Sequence, residues 1–98
     1  MSRQLVIRDQ ALEEIAEAAE WYERRSAGLS ADFLRAVDVA VASVLRAPEQ
    51  YPGVHQEMHR ALLRRFPYSL VYSFDEEELV VLGCLHWRRD PERWRARR

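Results

Sequence analysis

The residues able to do chemistry crowd into the second half of the chain. There Arg60, Arg64, Arg65, Tyr68, Tyr72, His86, Trp87, Arg88, Arg89, Arg93 and Trp94 interleave guanidiniums with aromatic rings. Such a set can hold phosphates through charge-assisted forks and stack on bases, which suits an RNA or DNA surface. The same residue types anchor protein interfaces, where Arg, Tyr and Trp carry much of the binding energy. A solvated strand face followed by a basic tail is the third reading, and residue types alone leave all three open.

Other chemistries find less support. His55 and His59 lie four apart in a segment that reads as a loop entering a strand, with no Cys or third His in register, so no metal site is expected. Ser69 and Ser73 fall in a strand without an elbow-like Gly or an evident base, which argues against a nucleophilic triad. The three glycines are scattered and make no phosphate-cradling loop. The lone Cys84 sits in the apolar run LVVLGCL and reads as a core residue. No cofactor is implied by any of these patterns.

Charge is unevenly divided. Residues 1–59 carry six Arg against ten Asp and Glu, and residues 60–98 carry nine Arg against six, so a net charge of −1 conceals halves of −4 and +3. Every basic residue is Arg. A guanidinium grips carboxylate or phosphate but stays protonated, so it makes a poor general base. His86 is the residue in the basic set that titrates near neutrality.

A chain of 98 residues with 48% apolar and 32% charged residues suits one domain with one core. It has no apolar run near the roughly 20 residues that span a bilayer. The N-terminus MSRQLVIRDQ lacks a signal-peptide pattern, so a cytoplasmic location is expected.

The elements that must position the basic set are legible from periodicity. Gln4 to Ile7 reads as a strand, and Asp9 stands where a helix N-cap belongs. Leu12, Ile15, Ala16, Ala19 and Tyr22 then form a helical apolar stripe, with Glu13, Glu17 and Glu20 on another face and Trp21 off the stripe. Gly28 breaks the helix, Ser30 is the next candidate cap, and Phe33, Val37, Ala40 and Val44 line a second helix that ends before Ala47-Pro48. Residues 49–54 read as a loop.

From Met58 the period changes to two, with Arg60, Leu62 and Arg64 on one face and Ala61 and Leu63 on the other. Phe66-Pro67 interrupts this strand, Tyr68 to Phe74 forms the next, and Leu79 to His86 follows an acidic turn. Asp90-Pro91-Glu92 should open a short basic helix. The expected fold is therefore α+β: a two-helix hairpin packed on a four-stranded, mainly antiparallel sheet, with a short C-terminal helix, all in the single domain 1–98.

Several strings, taken in order, resemble the RelE/ParE superfamily of toxins. They are WYE after the acidic helix, GLSADFL opening the second, PEQYPG after it, RALLRRFPYSLVY across the hairpin and HWRRDPERW at the end. FPYSLVY followed about a dozen residues later by HWRRDP is the most specific pair. The resemblance implies the toxin of a type II toxin–antitoxin module, a plasmid-stabilisation type of protein that inhibits growth and is neutralised by a cognate antitoxin wrapped around it. Trp21 and the exposed sheet edges add a homodimer or a toxin–antitoxin heterotetramer as an expected assembly.

The superfamily divides by target. Its RelE-like members cleave mRNA on the ribosome with basic residues on the second strand, an Arg early on the third, an Arg after the fourth and a terminal aromatic, commonly Tyr. Matched to those positions, this sequence has Arg60 and Leu62, then Ser69 in place of the third-strand Arg, then Arg89, and finally Arg95 beside Trp94. If it is an endoribonuclease, His86 and Arg89 are the catalytic candidates. Its ParE-like members are understood to poison DNA gyrase without a nuclease constellation, and the gaps in the set favour that branch. Arg60, Arg64, Arg65, Tyr72, Trp87, Arg88, Arg93 and Trp94 are then the expected target contacts. A remnant that binds antitoxin without toxicity is the third outcome.

Overall fold

The computed structural model describes residues 3–86 and builds them into two helices against one face of a five-stranded sheet. In chain order the elements are β1 (Gln4–Ile7), α1 (Asp9–Arg25), α2 (Leu29–Arg46), a 3₁₀ turn (Pro48–Gln50), β2 (Gly53–His55), β3 (Met58–Leu62), β4 (Tyr68–Phe74) and β5 (Glu78–His86). The sheet order is β1-β5-β4-β3-β2, with β1 parallel to β5 and the other neighbours antiparallel. The expected hairpin-on-sheet architecture holds. The fifth strand is β2, within the stretch expected to be loop: His55 pairs with Met58 through a tight turn, and Gln56 at φ 52° makes that turn. The expected C-terminal helix lies outside the described residues.

Apolar spacing explains why the helices lie down as they do. In α2 the predicted stripe is the buried one: Phe33, Val37, Ala40 and Val44 are each at most 8% exposed. In α1 Ile15 and Ala19 of the expected stripe are buried and Tyr22 packs on the core, but Ala11 and Ala18 replace Leu12 and Ala16, so the helix is rolled slightly from the expected register and Leu12 is left 50% exposed. Small residues at 11, 18 and 19 let the helix sit close to β5, whereas Leu12 would hold it away.

Capping also differs from expectation. Asp9 is the first residue of α1 and Arg8 takes the cap position, leaving the acid in the first turn where the helix dipole favours it. At α2, Gly28 adopts φ 92°, which turns the chain so that the amides of Gly28 and Ser30 donate to the Glu23 carboxylate at 3.0–3.1 Å. Glu23 of the preceding helix thus does the work expected of Ser30, and these amide bonds hold its carboxyl below the usual range.

The two sheet faces have separate clusters. Tyr22, Phe33, Phe66 and Tyr68 pack ring on ring at 4.9–6.2 Å on the helix face, above Leu70, Tyr72, Leu79, Val81 and Cys84. Met58, Val71, Leu82 and Leu85 make the cluster on the other face. A bulge sorts β5 between them: Val71 pairs with Gly83 and Tyr72 with Val81, so Leu82 is an extra residue and the alternation changes phase there.

Candidate functional site

The basic residues on the described chain occupy three places rather than one. Arg60, half-buried in β3, stands opposite Val71 and shares with Met58 the sheet face opposite α1 and α2. Its amide donates to the Pro52 carbonyl at 3.1 Å, which fixes its backbone while the guanidinium remains without an ion-pair partner among the described residues. Leu62 lies on the same face and is 57% exposed.

Arg64 and Arg65 do not continue that face. β3 ends at Leu62, and residues 63–67 form a turn closed by two backbone bonds, Leu63 N–H to Tyr68 O at 2.9 Å and Tyr68 N–H to Phe66 O at 2.8 Å. Arg65 takes φ 71°, a left-handed conformation that a non-glycine residue adopts at a cost of about 1–2 kcal/mol. Phe66 plugs into the core against Phe33 and Tyr22, and the two arginines flank the plug in solvent. The strand alternation that grouped Arg60 with Arg64 stops at the residue before the turn.

His86 is the third place. As the last residue of β5 it pairs with Tyr68 and meets that ring edge-on at 5.3 Å, which puts it on the helix face. It lines a groove of about 430 Å³ with Glu14, Glu17, Glu20, Trp21 and Arg24 from α1. The Glu14 carboxylate reaches across to accept the Cys84 amide at 3.0 Å. Trp21 packs T-shaped on Tyr22 at 5.0 Å and lies under the Arg25 guanidinium at 4.5 Å, both contacts within α1. Among the described residues the groove around His86 holds three carboxylates against the one guanidinium of Arg24, a sign unfavourable for holding a phosphodiester.

Tyr72 does not belong to a contact surface. It is fully buried, donates its hydroxyl to the Pro48 carbonyl at 2.6 Å and stacks on His59 at 5.5 Å. Burial pushes its phenol far above the usual tyrosine range. The alternation placed it among aromatics, but the phase of β4 points it beneath the 3₁₀ turn after α2. Trp87, Arg88, Arg89, Arg93 and Trp94 lie outside the described residues.

A family model described as the ParE toxin of the type II toxin–antitoxin system parDE matches residues 5–91. The chain belongs to the ParE toxin family. A solved structure titled as the chromosomal ParDE TA system from P. aeruginosa superposes with a TM-score of 0.77 at 13% identity, covering 87% of this chain and 96% of that one. At that identity the likeness is one of fold. No curated protein sequence matches.

For this ParE-family chain, the sequence reading missed two contributors to the site, Glu14 and Phe66. By its place near the start of α1, Glu14 reads as an acid favoured by the helix dipole, yet it caps the edge of β5 beyond the end of β1. Only the roll of α1 reveals it, and that roll is set by the small residues Ala11 and Ala18. Phe66 had a visible signal, since an aromatic between an Arg pair and a Pro in a turn is an anchor in search of a core.

Proposed function

We propose that this chain is the toxin of a type II toxin–antitoxin pair and arrests growth by binding DNA gyrase through Arg60 and the sheet face opposite α1 and α2, until a cognate antitoxin neutralises it. Membership of the ParE family supports the toxin role. The observation that carries the non-enzymatic reading is the position of His86 among Glu14, Glu17 and Glu20, on the face away from Arg60. Cleavage of RNA by its own 2′-hydroxyl needs a proton acceptor and a phosphate stabiliser converging on one scissile bond. Arg60 and His86 instead diverge, and neither Arg64 nor Arg65 lies beside His86 in the groove it lines.

Arg60, together with Trp87, Arg88, Arg93 and Trp94, which lie outside the described residues, supplies the proposed target contact. Fork-shaped donors on a partly apolar sheet suit a protein surface bearing carboxylates. Regulated expression in a bacterial host tests the reading. Arrest with induction of the DNA-damage response and intact mRNA is the expected outcome. Ribosome-dependent mRNA cleavage would replace it with the interferase reading, and unaffected growth would leave an antitoxin-binding remnant.

A further inference from the structure

The sheet face opposite α1 and α2 is buried more deeply than its own strands can account for. Met58, Ser69, Val71, Leu82 and Leu85 are each at most 5% exposed there, Ser69 sharing the face by its alternation with Val71. Neighbouring strands shield the flanks of a side chain that stands up from a sheet but leave its tip in water, as they do for Leu62, 57% exposed. The described elements that pack on the sheet lie on its other side. Both helices and Phe66 belong to the helix-face cluster, and the Tyr72 hydroxyl ties the 3₁₀ turn there. Five buried tips therefore need a cover from outside residues 3–86.

The burial is that of one chain alone, which leaves residues 1–2 and 87–98 to supply the cover. Met1 and Ser2 precede β1, three strands away from Met58, and two residues reach at most about 7 Å. Residues 87–98 begin at the right corner, since β5 ends at His86 beside Leu85. Leu85 pairs with Ser69, Ser69 pairs with Leu62, and Met58 lies four residues back along β3. Two strand spacings of about 4.8 Å and four rises of about 3.3 Å make a diagonal of about 16 Å. Twelve residues reach about 18 Å even when wound wholly as helix.

We propose that residues 87–98 strap this face of their own chain, with Trp94 seated on Met58 and Val71 and the segment's arginines turned outward beside Arg60. The segment carries six Arg against Asp90 and Glu92, and its large apolar side chains are Trp87 and Trp94. None of the five covered residues is a carboxylate, so the rings gain by facing inward and the guanidiniums do not. Trp87 follows His86 directly and is confined to the Leu85 end, which leaves Trp94 to reach Met58. The rival seat is the groove of Glu14, Glu17 and Glu20. Its charge is complementary, but a segment held there would leave Met58 and Val71 open to water across the sheet. In the proposed target contact Trp94 is then a positioning residue that holds Arg88 and Arg93 beside Arg60, and that clause alone rests on the proposed function.

The test uses the full chain with Trp94 as its single tryptophan, made by Trp21→Phe and Trp87→Phe, and acrylamide as quencher. Trp94 fluorescence in the native protein should be quenched several-fold less efficiently than in urea. Cross-linking with a short bismaleimide then locates the seat, in one full-length variant with Val54→Cys and Arg95→Cys and another with Glu17→Cys and Arg95→Cys. Val54 packs beside the Met58 cluster, and the buried Cys84 does not compete for the reagent. The Val54 variant should link within one chain and the Glu17 variant should not. Trp94→Ala should speed tryptic cleavage after Arg88 and Arg89 several-fold relative to cleavage in the β3–β4 turn, and Trp94→Phe should restore most of the protection. Native quenching as efficient as in urea, a link to Glu17, absence of the link to Val54, or links between two chains, which would assign the cover to a second copy, would each overturn the proposal. None of these readouts depends on whether the chain arrests growth.

Discussion

Arg60 and His86 project from opposite faces of one sheet. Arg60 pairs with Val71, His86 pairs with Tyr68, and the three-residue offset along β4 both reverses the face and adds roughly 10 Å of separation. A general acid or base at His86 therefore cannot share a phosphate with Arg60. His86→Ala is expected to leave growth arrest intact, whereas Arg60→Ala should weaken target binding about ten- to a hundredfold, the loss of a charge-assisted contact worth about 1.5–3 kcal/mol. Dose–response curves of arrest against expression level, normalised to soluble protein, check both.

Tyr72→Phe should destabilise the fold by about 1–2 kcal/mol, because the hydroxyl on Pro48 O is lost and the carbonyl remains buried. Urea denaturation measures it. If the variant proved as stable as the parent, the tie between the 3₁₀ turn and the sheet would be ornamental, and Tyr72 would return to the candidates for contact.

Ser69→Ala should have the opposite sign. The Ser69 hydroxyl is buried at 2% exposure without a hydrogen-bond partner among the described residues, so its removal is expected to stabilise by about 1 kcal/mol. A fall in the denaturation midpoint would mean that the hydroxyl has a partner it needs.

Glu23 predicts a pH dependence. Its folded-state pKa is depressed by the Gly28 and Ser30 amides, so the unfolded chain binds the proton first as pH falls and the contribution is present above the unfolded value, near 4.5. It fades as pH drops through that value toward the folded one. Melting temperature followed from pH 7 to pH 3 should fall more for the parent than for Glu23→Gln, with the two curves converging at the acid end. Parallel curves would show that the carboxylate does not cap α2 in solution.

Cys84 should be silent. Burial, and then the nearby Glu14 carboxylate, push its thiol up to about 12, which keeps it protonated at neutral pH. A thiol reagent at pH 8 is expected to react only as the chain unfolds, with no burst from the native protein.

How far these features could be read from the sequence depended on how local their causes are. The α2 stripe, the Phe66-Pro67 break and the acidic turn at Asp75 are local. In the last, Asp75 accepts the amides of Glu77 and Glu78 at 2.8–2.9 Å. The roll of α1 was hidden because Leu12 is the larger hydrophobe, and only the close approach to β5 selects Ala11 instead. Strand β2 is three residues long and is held by pairing to β3, a cause that composition does not carry. The separation of Arg60 from Arg64 was hidden for a related reason, since alternation says which face a strand residue takes but not where the strand stops.

The central claim is that this chain works by binding a target and not by cutting RNA. Its most direct test is a DNA gyrase supercoiling assay with the purified protein, run beside ribosome-bound mRNA in a parallel reaction. The account predicts concentration-dependent loss of supercoiling, weakened by Arg60→Ala and unchanged by His86→Ala, with the mRNA intact. Normal supercoiling together with mRNA cleavage that His86→Ala abolishes would contradict it.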